Sequence, residues 1–303
     1  MSNITLTRQF ALIALNGLDS THMTTAKKAA LRCIMAASFL EEFIKQPFSE
    51  ERSLTLSEEM KNISSASGKK LHEAENTINK ELMNLRLIKE SANLLACDMN
   101  YVTANVTIRE YYSDPAEYSC IKTDIYKSLM ESGSVTDETI CMFWLLRESG
   151  CFYDIFTESE EDRLPARINE LYEQSPFAKA LFLIVIQKPL EQAYHSFLRK
   201  KKEIFSTPFG TGILFACPIF ERSQSVFIDV EEWFSDKDKR LAYVLDRLST
   251  MGQEVEVLRT GQTPLLKINN LYYECIPTQV VAKLPIQGVR LRRYIPDIAG
   301  HQS

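Results

Sequence analysis

No CxxC pair occurs in this 303-residue chain, and its seven cysteines (33, 97, 120, 141, 151, 217 and 275) form an odd, scattered set without partnering histidines. Such a set indicates neither a disulfide framework nor a zinc site, so buried reduced thiols are expected. Histidine is scarce too: the four, at 22, 72, 195 and 301, are dispersed, and no serine or cysteine stands in a nucleophile elbow. The run PFGTGI is too short for GxxxxGK[ST] or GxGxxG, so Gly210 and Gly212 read as a turn leading into a strand. No catalytic residue, metal or cofactor is expected, and His195 beside Tyr194 reads as capping or packing a helix.

Long apolar runs are missing as well. The longest candidate, AKALFLIVI from Ala178 to Ile186, is about half of the roughly 18 uncharged residues needed to span a bilayer. The start, MSNITLTRQFALIALNGLD, carries one cation and an apolar run broken by Asn16, Gly17 and Asp19, without the order of a signal peptide. A cytoplasmic protein is expected. Positive charge is not in excess either: 35 basic against 40 acidic residues give −5, so the bulk field repels nucleic acid and anionic lipid. Anion binding would require a local patch.

The chain does contain abundant helical periodicity. Thr7 can cap a helix through about Leu15, and Thr24 or Thr25 a second, with Ala30, Leu31, Ile34, Met35, Ala37, Phe39 and Leu40 at helical spacing. Alanines 26, 29, 30, 36 and 37 would let a neighbour approach closely, which makes this a central helix. After a polar stretch, Gln46 to Lys70, the next helix places Leu71, Ala74, Ile78, Leu82 and Leu85 on one stripe. Two apolar runs around Glu90-Ser91-Ala92-Asn93 then read as a small β-hairpin, giving a winged-helix-like element. Helices resume near Ile121 to Met130, after the cap Thr136, at about Asp162 to Glu173, in Phe177 to Gln187 and in Leu190 to Lys202. From Ser206 the texture changes: TGILFACPIF, SVFIDV, QEVEVLR and VRLRRYI read as strands, Ser235 caps a helix to about Thr250, and Asn269-Asn270 makes a two-residue turn. The fold class expected is a mainly α-helical N-terminal domain with a small β-hairpin (residues 1–205), followed by a small α+β C-terminal domain (residues 206–303).

Three segments together resemble the Golgi phosphoprotein 3 family. They are ITLTRQFALIALNGLDSTHMTTAKKAALRCIMAASFLEEFI, KELMNLRLIKESANLLACDM and DETICMFWLLRESGCFYDIFTESEEDRLPARINEL, and the likeness covers about residues 4 to 175. The resemblance implies a non-enzymatic, mostly helical adaptor of bacterial type with an added C-terminal module. Such adaptors bind a phosphatidylinositol 4-phosphate headgroup in a shallow basic pocket, insert or pair through the hairpin, and hold cytoplasmic tails of Golgi glycosyltransferases. Carried over by position, Arg32 takes the place of the headgroup arginine, the pocket tryptophan falls at about Met23, and two further arginines fall near His72 and Glu75. One of three cationic positions is retained, and an acid replaces another.

The candidate anion or lipid-headgroup residues are therefore Arg32, Lys28, Lys27, Met23 and His72, with the three cations near a helix N-terminus. Leu87, Ile88, Leu94 and Leu95 are the candidate membrane or oligomer contact of the hairpin, against the reading that it packs on its own domain. Arg199-Lys200-Lys201-Lys202 reads either as a lipid-attracting patch or as a solvated linker. Arg290 and Arg292 should share a solvent face of the last strand, and the Glu73, Glu75 and Glu81 helix is poorly charged for phosphate contact, so nucleic acid is not an expected partner. The function expected is reversible, peripheral docking on an anionic phospholipid surface or a partner protein. The alternative is a soluble oligomeric structural or regulatory module, a homo-oligomer through the hairpin, with no lipid binding.

Overall fold

The computed structural model of the chain describes residues 4–98, 108–130, 135–157, 160, 163–186, 222, 224–230, 236–281 and 285–295. Its first part is a helical body built around α2 (Thr25–Phe43). Thr24 accepts a hydrogen bond from the Lys27 amide and so caps α2. Ala26, Ala29, Ala30, Ala36 and Ala37 are all buried, and they let α1 (Leu6–Leu15) lie close alongside. The cap residue of α1 is Thr5; the Thr7 hydroxyl instead donates to Glu41 Oε2 at 2.7 Å, tying α1 to α2.

Two elements differ from the sequence reading. The polar stretch after Gln46 contains a helix, α3 (Glu50–Ser64), capped by Ser49 and opened by Glu50 and Glu51. Only Leu56, Met60 and Ile63 of it are buried, so its stripe is too sparse to stand out. After α4 (Gly68–Asn84), the expected turn Glu90-Ser91-Ala92 is itself part of β1 (Ile88–Ala92), and Asn93 caps a 3₁₀ turn, Leu94–Cys97. The partner of β1 is β2 (Arg109–Ser113), antiparallel with Ile88 opposite Ser113. The hairpin is wider than its local apolar runs suggest, because Leu94 and Leu95 are used for packing.

The helical body continues with α5 (Pro115–Met130), α6 (Asp137–Ser149), one turn at Phe152–Ile155, α7 (Leu164–Gln174) and α8 (Pro176–Phe182). Thr136 caps α6, and Gly150, at φ +75°, closes it in the left-handed region. Every residue from Ile140 to Leu146 is buried, so α6 is a core helix rather than an amphipathic one.

The C-terminal part is a five-stranded antiparallel sheet, in the order β3 (Val226–Asp229), β7 (Pro285–Tyr294), β6 (Leu271–Val281), β5 (Leu265–Ile268), β4 (Val255–Arg259). Helix α9 (Lys237–Thr250) packs Val244 and Leu248 into this part's core; its cap is Asp236, and Ser235 lies outside the described residues. Asn269, at φ +54°, and Asn270 form the two-residue turn between β5 and β6. Arg292 is exposed and pairs with Glu274, Arg290 on the same face is half-buried against Ser225, and Arg293 on the opposite face is buried. The segment Leu190 to Lys202, the boundary at 200–208, TGILFACPIF, PFGTGI, His195, His301 and the Arg199–Lys202 run lie outside the described residues.

The two parts meet through buried polar contacts. Asn270 Nδ2 donates to Asn16 Oδ1 at 3.0 Å and to Ser113 O at 2.7 Å, and Asn269 Nδ2 donates to Glu110 Oε1 at 2.9 Å. Leu94, Leu95, Cys97 and Ile108 pack with the C-terminal sheet and α9 rather than with the helical body.

Candidate functional site

A cleft of about 480 Å³ opens between the start of α2, α4 and the β1–β2 pair, with Met23, Lys27, His72, Glu75, Lys80 and Tyr111 among its lining residues. Lys27 lies in the first turn of α2, with its side chain only 2% exposed, and its Nζ is 2.7 Å from Glu75 Oε1. The ammonium also donates to Ser20 O at 3.2 Å and lies 5.7 Å from the centre of the Tyr111 ring.

Glu75 is the centre of this network. The Tyr111 hydroxyl donates to its Oε1 at 2.7 Å, and Asn79 Nδ2 donates to the Tyr111 oxygen at 2.5 Å. His72 Nδ1 stands 3.5 Å from Glu75 Oε2. Burial, followed by the hydrogen bond to Glu75, raises the Tyr111 hydroxyl far above the ordinary tyrosine range and keeps it a donor. Asn79 Oδ1 and Ser20 Oγ are buried at this cleft without hydrogen-bond partners among the described residues. The lining cations Lys27 and Lys80 face two acids, Glu75 and Glu90, so the cleft has no excess positive charge with His72 neutral.

Of the five sequence-predicted headgroup residues, Met23, Lys27 and His72 line the cleft together. Lys28 is exposed and Arg32 half-buried, and neither is among the lining residues. Helical geometry explains the split: at 3.6 residues per turn, positions one and five beyond Lys27 project well away from its face. Sequence reasoning missed Ser20, Asn79 and Tyr111 as site residues. A signal was present in α4, whose buried face is Leu71, Glu75, Ile78, Asn79 and Leu82, with polar residues at two positions of an apolar stripe.

The hairpin contact residues are also placed inside. Ile88 belongs to the helical core, Leu94 and Leu95 are each 6% exposed under the C-terminal sheet, and Leu87 is half-buried. The exposed apolar side chains near the cleft are instead Met83 (40%) and Leu85 (48%), at the corner from α4 into β1. Lys80 and Arg86 are exposed on the same corner.

Among the described residues no group of three or more His, Cys, Asp or Glu side chains could hold a metal, and no helix is long and apolar enough to cross a membrane. The six described cysteines are all free thiols, five of them buried, with Cys120 exposed. No known family, no curated protein and no solved structure matches the chain.

Proposed function

We propose that this protein is a non-enzymatic binding protein of the Golgi phosphoprotein 3 type that docks reversibly on a membrane surface, with the α2–α4–hairpin cleft receiving a polar lipid headgroup. The observation that carries this reading is the pairing of a polar cleft, with Lys80 and Met83 in its lining, with the exposed Leu85 and Arg86 that follow them at the corner from α4 into β1. Amphipathic rims of this kind bury their apolar atoms at the acyl boundary while the cations meet phosphate. Within the cleft, Ser20 Oγ and Asn79 Oδ1 offer hydrogen-bonding capacity to a headgroup hydroxyl or ammonium.

Lys27 is already matched by Glu75, so the headgroup has at most one full negative charge. A polyphosphorylated inositol fits poorly. The arrangement of α4 leading into β1 and β2 suits the winged-helix-like reading, with the tip of the helix rather than the hairpin strands facing the membrane.

Vesicle flotation of the full chain tests this. Burying the exposed parts of Met83 and Leu85 contributes about 1 kcal/mol each, so Met83→Ser/Leu85→Ser should weaken binding about 30-fold. Binding of wild type and variant that is equally negligible, on neutral and anionic vesicles alike, would remove the membrane reading. A soluble oligomeric module is the second reading, favoured by the open edge strand β4, where Val257 and Leu258 are exposed.

A further inference from the structure

The cleft between α2, α4 and the β1–β2 pair holds acceptors that nothing in the chain uses. Glu75 and Asn79 lie one turn apart on the buried face of α4, and both are more than nine-tenths buried. Oε1 of the Glu75 carboxylate takes both Lys27 Nζ and the Tyr111 hydroxyl, whereas Oε2 is left with His72 Nδ1 at 3.5 Å, longer than an ordinary hydrogen bond. The orientation of Asn79 follows from the same chain of bonds. Because the Tyr111 hydroxyl gives its proton to Glu75, its oxygen accepts from Asn79, so the amide turns Nδ2 toward Tyr111 and Oδ1 away from it. That Oδ1, and Ser20 Oγ in the same lining, have no hydrogen-bond partner among the described residues. A carboxylate oxygen and an amide oxygen from successive turns call for a ligand with several N–H donors and positive charge on them.

The charges of the lining set a second condition. Lys27 is matched by Glu75, Glu90 has Arg109 Nε at 3.3 Å, and the exposed Lys80 is in no ion pair among the described residues. A wholly anionic ligand would meet Glu75 and Glu90, and a wholly cationic one Lys27 and Lys80. A zwitterion with its ammonium inward and its phosphate toward Lys80 suits both signs.

We propose, on the basis of the membrane reading above, that the cleft selects the ethanolamine headgroup of phosphatidylethanolamine. Its primary ammonium donates to Glu75 Oε2, Asn79 Oδ1 and Ser20 Oγ, and its phosphate meets Lys80. The volume of about 480 Å³ lies within the range of roughly 300–1,000 Å³ usual for small-ligand sites. Phosphatidylcholine fits poorly, since its quaternary nitrogen has no N–H and the Tyr111 ring that could face it already faces Lys27.

The test is flotation of the full chain with phosphatidylcholine vesicles, pure or carrying an equal share of phosphatidylethanolamine, its N-methyl or N,N-dimethyl derivative, or phosphatidylglycerol. Affinity should fall stepwise as methyl groups replace N–H donors, and should be about tenfold or more weaker on pure phosphatidylcholine than with phosphatidylethanolamine. Soluble glycerophosphoethanolamine should displace the chain from phosphatidylethanolamine vesicles, and glycerophosphocholine should not. Asn79→Ala should flatten the methylation series while leaving binding that still responds to Met83→Ser/Leu85→Ser. Should Asn79→Ala fail to fold, Ser20→Ala and the wild-type series decide the matter. Equal binding to every vesicle, or binding that follows phosphatidylglycerol instead, would overturn this inference and leave the membrane reading standing. Absence of binding to any vesicle would overturn both, and glycerophosphoethanolamine bound by a chain that ignores all vesicles would assign the cleft to a free metabolite rather than a lipid.

Discussion

Replacing Lys27 with methionine keeps most of the length of the side chain and removes its charge. In the folded protein the Glu75 carboxylate, 4% exposed, would then retain only the Tyr111 hydroxyl and the more distant His72 as partners. Removing one member of a buried ion pair costs about 3–5 kcal/mol, because the other charge stays desolvated. With a urea m-value of about 3 kcal/mol/M, this corresponds to a midpoint lower by about 1–1.7 M. The double variant Lys27→Met/Glu75→Leu takes away both charges and should recover most of the loss, with a coupling energy of about 2 kcal/mol or more. Urea unfolding of wild type, both single variants and the double variant measures it. If Lys27→Met costs less than about 1 kcal/mol, the pair behaves as a solvated surface pair and the closed network at the cleft floor is wrong. Additive single losses would refute the coupling as well.

Glu110→Gln should flatten the pH dependence of stability. The wild-type carboxyl is raised by burial from 4.5 to about 7; the folded state therefore holds the proton more tightly than the unfolded one, and stability falls by about 3 kcal/mol as pH rises from about 4.5 to about 7. Glutamine mimics the protonated form and lacks this loss, so the stability difference between wild type and variant, from urea curves at pH 5 and pH 8, should change by about that amount; a constant difference contradicts a buried charge. Gly288→Ala drives a Cβ into Ile228 O and the Phe227 ring, where β7 meets β3. Backbone has little room to yield, so the variant should lose about 3 kcal/mol or fail to fold, and near-wild-type unfolding would show that the β3–β7 register differs.

The sequence was legible where one local signal sufficed. The Thr24 and Thr136 caps, the Gly150 stop and the Asn269-Asn270 turn each depend on a residue's own backbone chemistry, and each stands as read. The reading was weakest where a residue's role depends on what arrives from far along the chain. QEVEVLR alternates like a half-buried strand, yet β4 is the sheet edge and most of it is exposed. ESAN looks like a turn between apolar runs, yet β1 finds its partner at Arg109–Ser113, while Leu94 and Leu95 are covered by the C-terminal sheet.

The candidate site follows the same division. The resemblance to the Golgi phosphoprotein 3 family, rather than helical periodicity, put Met23 and His72 beside the cations of α2, and the structure has Met23, Lys27 and His72 lining one cleft. Only tertiary structure chose Lys27 over Arg32 as the buried cation, since burial depends on which helical face α4 and the Tyr111 strand cover. Local propensity acts over a few residues and can be read from them; the partner of a charge is set by long-range packing, here between residues 27, 75 and 111.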